Sequence, residues 1–224
     1  MQASSSSSSA EPARSPTDDL GARLRVDRET LDRWCERGIL GLVLAILVFG
    51  PIAFGSVGVP QVLVIQALSM GVLLLWTARV WLNKSYRLLW APICWAVLLF
   101  VLYAVARYRM LLSEGGIEYL ARQELILVLI YGFLFFAILN NLSRHESAQV
   151  ISMTLVGLGA LLSLYALYQF LTKSGWVLWT PQYPIYLGRA SGTYICPNHL
   201  AGLLEMILPL GLAYTLAGRF HATT

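Results

Sequence analysis

Arg189, Asn198 and His199 fall in one short stretch, GRASGTYICPNHLAG over residues 188–202, of a chain otherwise dominated by leucine, valine, alanine and aromatics. An arginine offers a planar fork of donors that grips phosphate oxygens in bidentate fashion. Histidine is the side chain that titrates near neutrality. Gly188 and Gly192 bracket Arg189 and Ser191 and permit backbone geometries that a side chain forbids. Pro197 fixes the chain just before Asn198, whose side-chain oxygen suits a helix cap. A helix starting there aims its unpaired N–H groups, and about half a positive charge, at the same place. The chemistry is that of an anion site. The same residues also suit a capped helix entry beside an arginine that snorkels to lipid phosphates. A little further on, Glu205 puts a carboxylate inside an apolar run, with Pro209 four residues later unable to bond its carbonyl. That pair suits either a polar substrate pocket or a polar contact between helices.

The elements that hold these residues follow from composition. Hydrophobic residues make up 57% of the chain, charged residues 12%, and mean hydropathy is +0.64. Runs of roughly 18 or more apolar residues, enough to cross about 30 Å of hydrocarbon, occur near 38–55, 62–82, 88–106, 124–141, 147–171 and 200–218. The expected fold is all-α, a polytopic integral membrane bundle of about six transmembrane helices. Residues 1–19, with an uninterrupted serine tract from Ser4 to Ser9, read as a disordered tail. Residues 20–37 carry Leu20, Leu24, Leu31 and Trp34 among charges. They read as an amphipathic juxtamembrane helix, on the membrane surface or in solvent. Five spans with short loops fill 38–187, and 188–224 hold the signature stretch with the sixth span.

Lysine and arginine set the orientation, because cytoplasmic flanks hold the excess. With the N-terminus inside, the outer segments hold Arg107, Arg109, Arg122, Lys173 and Arg189, and the other eleven of the 16 basic residues face the cytoplasm. The N-terminus is therefore expected inside and the signature stretch outside, and the net charge of +4 calls for no nucleic-acid partner. Cys196 alone among the three cysteines would then meet an oxidising compartment. No Cys or His pair has metal-ligand spacing and no glycine-rich loop suits a nucleotide, so no metal or other cofactor is expected. Trp176, Trp179, Tyr183 and Tyr186 crowd the loop before Arg189, where they suit membrane-interface anchoring or stacking on sugar rings. The stretch from Arg107 through LLSEGGIEYLARQE suggests a short amphipathic segment on the outer face. Gly159 and Ser163, at small-xxx-small spacing, read as a helix contact.

RASGTYICPNHLAGLLEMILPL, residues 189–210, resembles the signature with which the O-antigen ligase and polymerase superfamily opens its second half. Arg189, Gly192, Tyr194, Pro197, Asn198, Ala201 and Gly202 match it, and Cys196 stands where an asparagine is commonest. AFGSVGVPQ, residues 53–61, resembles the family's N-terminal half. The resemblance implies a metal-independent glycosyltransferase of the cytoplasmic (inner) membrane, with the signature loop facing the periplasm. Such an enzyme moves a glycan from undecaprenyl diphosphate to lipid A-core, or to another glycan in the polymerases. Arg189 is then the catalytic candidate, and Arg189, Asn198, His199 and Glu205 the substrate-binding ones, with membrane lipids around them. The family's further arginine and histidine lie on a large outer loop several spans later. On that basis the 224 residues are expected to be an N-terminal half, inactive alone: a truncated reading frame, the product of a decayed gene, or one part of a pair with a separate C-terminal half. Two other classes suit the residues: a transporter using Glu205 and the proline-broken sixth helix, or a noncatalytic membrane subunit. The charge distribution carries a direct test. A reporter active only outside the membrane is expected to work when fused after Gln61, Ser113 or Tyr183 and to fail after Lys84 or Arg144, and the reverse pattern would invert the orientation.

Overall fold

The computed structural model describes the backbone of residues 16–56, 58–83, 86–113, 115 and 117–221, with side chains over residues 28–216 of these. Six long helices follow one another: α1 (Pro16–Ile52), α2 (Val59–Leu82), α3 (Ile93–Ser113), α4 (Glu118–Asn141), α5 (His145–Thr172) and α6 (Pro197–His221). All six are long and apolar enough to cross a membrane. The chain is an all-α, multi-pass membrane bundle. Between α5 and α6 lie two short antiparallel strands, β1 (Trp176–Val177) and β2 (Thr180–Pro181), and a 3-10 turn at Pro184–Tyr186.

The helices break where the sequence removes donors or admits unusual backbone. Pro51 sits in the last turn of α1, and Phe54, Gly55 and Ser56 then take positive φ in succession. Pro60 lies in the first turn of α2, where its missing N–H costs no intrahelical bond. Pro92 delays the third helix, which starts at Ile93 rather than near residue 88. The segment read as a separate amphipathic piece around Arg107 is instead the end of α3 and the start of α4, joined through Gly115 at φ 76°. Helical hydrogen bonding carries those charged residues to the turn. Of the tail read over 1–19, residues 1–15 lie outside the described residues, and 16–19 open α1. The stretch 20–37 is continuous with the first span. One unbroken helix of 37 residues is about 55 Å long at 1.5 Å per residue, well beyond the hydrocarbon thickness.

Packing is strongest between α1 and α2, with α3 against α4, α5 against α6, and α4 closing on both α1 and α2. Ile39 and Val43 of α1, Val72 of α2, and Leu134 and Ala137 of α4 form one apolar cluster with Leu142. Gly38 permits a close approach of α1 to α2, since a Cβ there would lie 2.8 Å from a Leu75 methyl. A smaller cluster joins Leu158 and Leu162 of α5 to Leu200 of α6. Gly159 does lie in this contact, facing Ile207 and Leu204, and Ser163 bonds back to the Gly159 carbonyl at 2.8 Å.

A polar cluster ties α1, α2 and α4 together at the end of the bundle away from the signature loop. Arg79, 8% exposed, donates to both carboxylate oxygens of Asp32 at 2.8 and 3.2 Å, to Glu36 at 3.0 Å and to Asn141 Oδ1 at 3.1 Å. Arg144 reaches the other Glu36 oxygen at 3.5 Å. Beside it, Trp76 donates to the Tyr86 hydroxyl, which bonds the Asn140 carbonyl, and Asn140 Oδ1 accepts from the Leu89 N–H. Burial takes water away as a partner, so each of these groups depends on the others. Removing one member of a buried pair strands the remainder and costs about 3–5 kcal/mol. Arg79→Ala is therefore expected to lower the thermal unfolding midpoint of the detergent-solubilised chain by several degrees or more. A loss under about 1 kcal/mol would mean the cluster behaves as exposed ion pairs do.

Candidate functional site

The site is built on the loop from Lys173 to Cys196, whose backbone hydrogen bonds are confined to short turns and a two-residue hairpin. A side chain from α5 supplies the template. Gln169, 5% exposed in the last turn of that helix, donates to the carbonyls of Trp176 and Gly192, each at 3.0 Å. Its Oε1 accepts from the N–H groups of Ser191 at 3.2 Å and Gly192 at 2.8 Å. Gly192 can lie against this amide because it takes φ 59°, and because a Cβ there would press on Leu200 at 3.2 Å. Gln182 extends the clamp, its Nε2 donating to the Arg189 carbonyl at 2.9 Å and to Ser191 Oγ at 3.4 Å. Thr193 ties the loop to the first helix by donating to the Pro51 carbonyl at 2.6 Å, one of the carbonyls that a helix end leaves unpaired. Tyr194 lies over Gly55, where a Cβ would come within 2.6 Å of its ring.

Held this way, Arg189 is fixed through its backbone and exposed through its side chain. Its N–H bonds the Tyr186 carbonyl at 3.0 Å, and its carbonyl takes the Gln182 amide. The guanidinium uses Nη2 on Asn198 Oδ1 at 3.1 Å, which leaves most of its five donors directed elsewhere. Beside it lies a cavity of about 360 Å³ lined by Gln169, Lys173, Ser174, Gly188 and Arg189, among others. Lys173 is the residue after α5 and takes the left-handed conformation at φ 51°. Lys173 and Arg189 thus both line one concave space, together with Ser174 and mostly apolar walls.

The start of α6 differs from the sequence reading. The helix begins at Pro197, which makes Cys196 the capping residue; Asn198, already inside the first turn, spends its oxygen on Arg189 rather than on a cap. The Cys196 thiol lies below its ordinary pKa. The Tyr186 hydroxyl contributes most, then the Asn198 N–H; partial burial opposes, and the His199 N–H and Arg189 add smaller effects in the lowering direction. The same contact with Cys196 holds Tyr186 above the usual phenol range. Part of the donor capacity of the helix start is therefore directed at a sulfur, and an anion approaching this end meets Arg189 and Lys173 more readily than the helix axis.

Of the residues singled out in the sequence, the structure brings Arg189 and Asn198 together. His199 lies in the same first turn, exposed, with its N–H on the Cys196 carbonyl at 3.1 Å. Glu205 is not beside them; it lies about 10 Å further along α6 at 1.5 Å per residue, on an exposed face. Among the loop aromatics, Trp179 packs edge-on against Phe54 with ring centroids 5.3 Å apart, and Tyr186 serves Cys196. A second cavity, of about 220 Å³, lies between the 54–61 turn and the hairpin, and Phe54, Gln61, Gln182 and Tyr183 line it. Lys173, Gln169 and Gln182 were missed. Lys173 and Arg189 are the two basic residues of the α5–α6 loop, and an amide in the last turn of an apolar span is itself a signal, but pairing them across the loop needs the fold. No protein-family model, curated protein or solved structure matches the chain.

The lowered thiol has a kinetic consequence, because the thiolate is the reactive form. Alkylation of Cys196 by iodoacetamide is expected to reach half its maximal rate at lower pH than a free cysteine. Tyr186→Phe should move that midpoint up, with Cys35 and Cys94 silent because they are buried. An unchanged profile in the phenylalanine variant would remove Tyr186 as the cause.

Proposed function

We propose that the chain belongs to a metal-independent membrane glycosyltransferase of the O-antigen ligase type, and that the Lys173–Arg189 cleft holds the diphosphate of an undecaprenyl diphosphate-linked glycan. The single observation that carries this reading is the convergence of two loop cations on one cavity where a polar loop enters a membrane helix. A lipid diphosphate presents several anionic oxygens at the headgroup level while its chain stays in hydrocarbon. Arg189, with most of its fork unspent, matches two of those oxygens at once, and Lys173 adds a mobile point charge. As the glycan leaves, negative charge grows on the diphosphate, and cations already beside it stabilise that charge. Arg189 acts on the leaving group, and Asn198 positions Arg189 through its side-chain oxygen. In this reading His199, exposed one residue on, binds the diphosphate or an acceptor hydroxyl from lipid A-core or a second glycan. In this reading the bundle lies in the cytoplasmic membrane, with its N-terminus inside and the 173–196 loop toward the periplasm.

The test is binding of undecaprenyl diphosphate by the chain in phosphatidylcholine nanodiscs. Arg189→Lys and Lys173→Ala are each expected to weaken binding tenfold or more, about 1.4 kcal/mol, with the monophosphate bound less tightly than the diphosphate by the unaltered chain. In a glycan-transferring assembly, Arg189→Lys should lose most activity although charge is kept. Binding unaffected by both substitutions would overturn the assignment.

A further inference from the structure

A carboxylate stands in mid-span on a face of α6 that nothing among the described residues covers. Glu205 is the ninth residue of the apolar segment Pro197–Leu216, about 12 Å from its start at 1.5 Å per residue. The helix meets α5 through Leu204, Ile207 and Gly211. On another side Ala201, Glu205, Leu208 and Leu212 recur at i, i+4, i+7 and i+11, a single stripe. All four are exposed, Leu208 by 68%. Leucines there suit lipid; the carboxylate does not. Among the described residues no hydrogen bond or ion pair reaches it. Pro209, exposed one turn on, has no N–H to return to the Glu205 carbonyl. Two acceptors, one of them ionisable, thus share one side of a membrane helix where hydrocarbon supplies no donor.

We propose that this stripe is a docking surface for a transmembrane helix that brings an arginine or lysine to the depth of Glu205. Charge complementarity selects the occupant. A cationic side chain offers several donors and can satisfy the carboxylate and the carbonyl together. A second copy docked through the same stripe would set carboxylate against carboxylate, which repel. A lipid headgroup stays at the interface, and the glutamate stem is short for reaching it from mid-span. Ala201, one turn nearer the loop, lets a neighbouring backbone approach closely. The surface is distinct from the Lys173–Arg189 cleft, and the proposal does not rest on the reading given to that cleft.

The experiment measures Förster transfer, in phosphatidylcholine vesicles, between the labelled full chain and a labelled Leu-Ala transmembrane peptide carrying one central lysine. The lysine peptide is expected to associate at least tenfold more tightly than its all-apolar counterpart. That preference should vanish in Glu205→Leu and fall strongly in the isosteric Glu205→Gln, which keeps the shape of the face. Equal association of the two peptides, or a lysine preference that survives Glu205→Leu, would overturn the proposal. So would Glu205-dependent transfer between two labelled copies of the chain that the lysine peptide does not displace, which would give the face to self-association.

Discussion

The carboxamide of Gln169 donates to the carbonyls of Trp176 and Gly192 and accepts from the N–H groups of Ser191 and Gly192, and the place of Arg189 follows from those bonds. The buried stretch Ser191–Thr193 must satisfy its backbone groups without water. The hairpin between β1 and β2 pairs only two residues of each strand, so the loop cannot do this by itself. One buried amide with a donor and an acceptor end does it, and in doing so brings the stretch around Gly192 onto the end of α5. Lys173, only four residues beyond Gln169, thereby lines the same cavity as Arg189.

The two ends of the bundle rest on different polar devices. At the loop end they are neutral amides and hydroxyls, Gln169, Gln182 and Thr193, bonded to backbone. At the other end they are ions, with Arg79 holding Asp32, Glu36 and Asn141 so that three helices share one charged centre. Neutral clamps leave the cations of the loop unspent, because no carboxylate competes for Arg189 or Lys173 among the contacts they make. The ionic centre does the reverse and consumes its own charge. Between the ends, apolar packing and a few close approaches at glycine, such as Gly38 and Gly159, set helix spacing.

Electrostatics at the start of α6 bears on how an anion would be received there. The helix dipole and first-turn N–H groups favour negative charge, but Cys196 occupies the capping position and draws on the same donors together with Tyr186. The sulfur at the capping position, its pKa lowered mainly by the Tyr186 hydroxyl and then by the Asn198 N–H, draws on donors at the helix end. The strongest unused donors are then the guanidinium of Arg189 and the ammonium of Lys173, which open on a different space. Asn198, turned to Arg189 by its side chain, links the helix start to that space without itself closing the cap.

The sequence by itself determined the class of the fold, since runs from 38–55 to 200–218 of apolar residues leave no alternative to membrane helices, and hydropathy is additive along the chain. It also marked Gly159 as a point of helix contact, because small residues four apart suit a close approach; that the partner is α6 came from the fold. Break points were legible only roughly: Pro92 moved the start of α3, while charged residues near Arg107 and Glu118 joined helices because backbone bonding continues until a glycine stops it. Arg189 and Asn198 were legible as neighbours of a helix entry. What only the tertiary structure decided was who meets whom across distance in sequence: Gln169 with Gly192, Thr193 with Pro51, Arg79 with Asp32 and Asn141, and Lys173 with Arg189 around one cavity. Hydrogen bonds and ion pairs of that kind are set by which helix ends are brought side by side, and spacing along a single helix carries no record of it. The exposed carboxylate of Glu205 belongs to both: its cost in a membrane was readable from one residue, and the side of α6 on which it stands was fixed when Leu204, Ile207 and Gly211 turned toward α5.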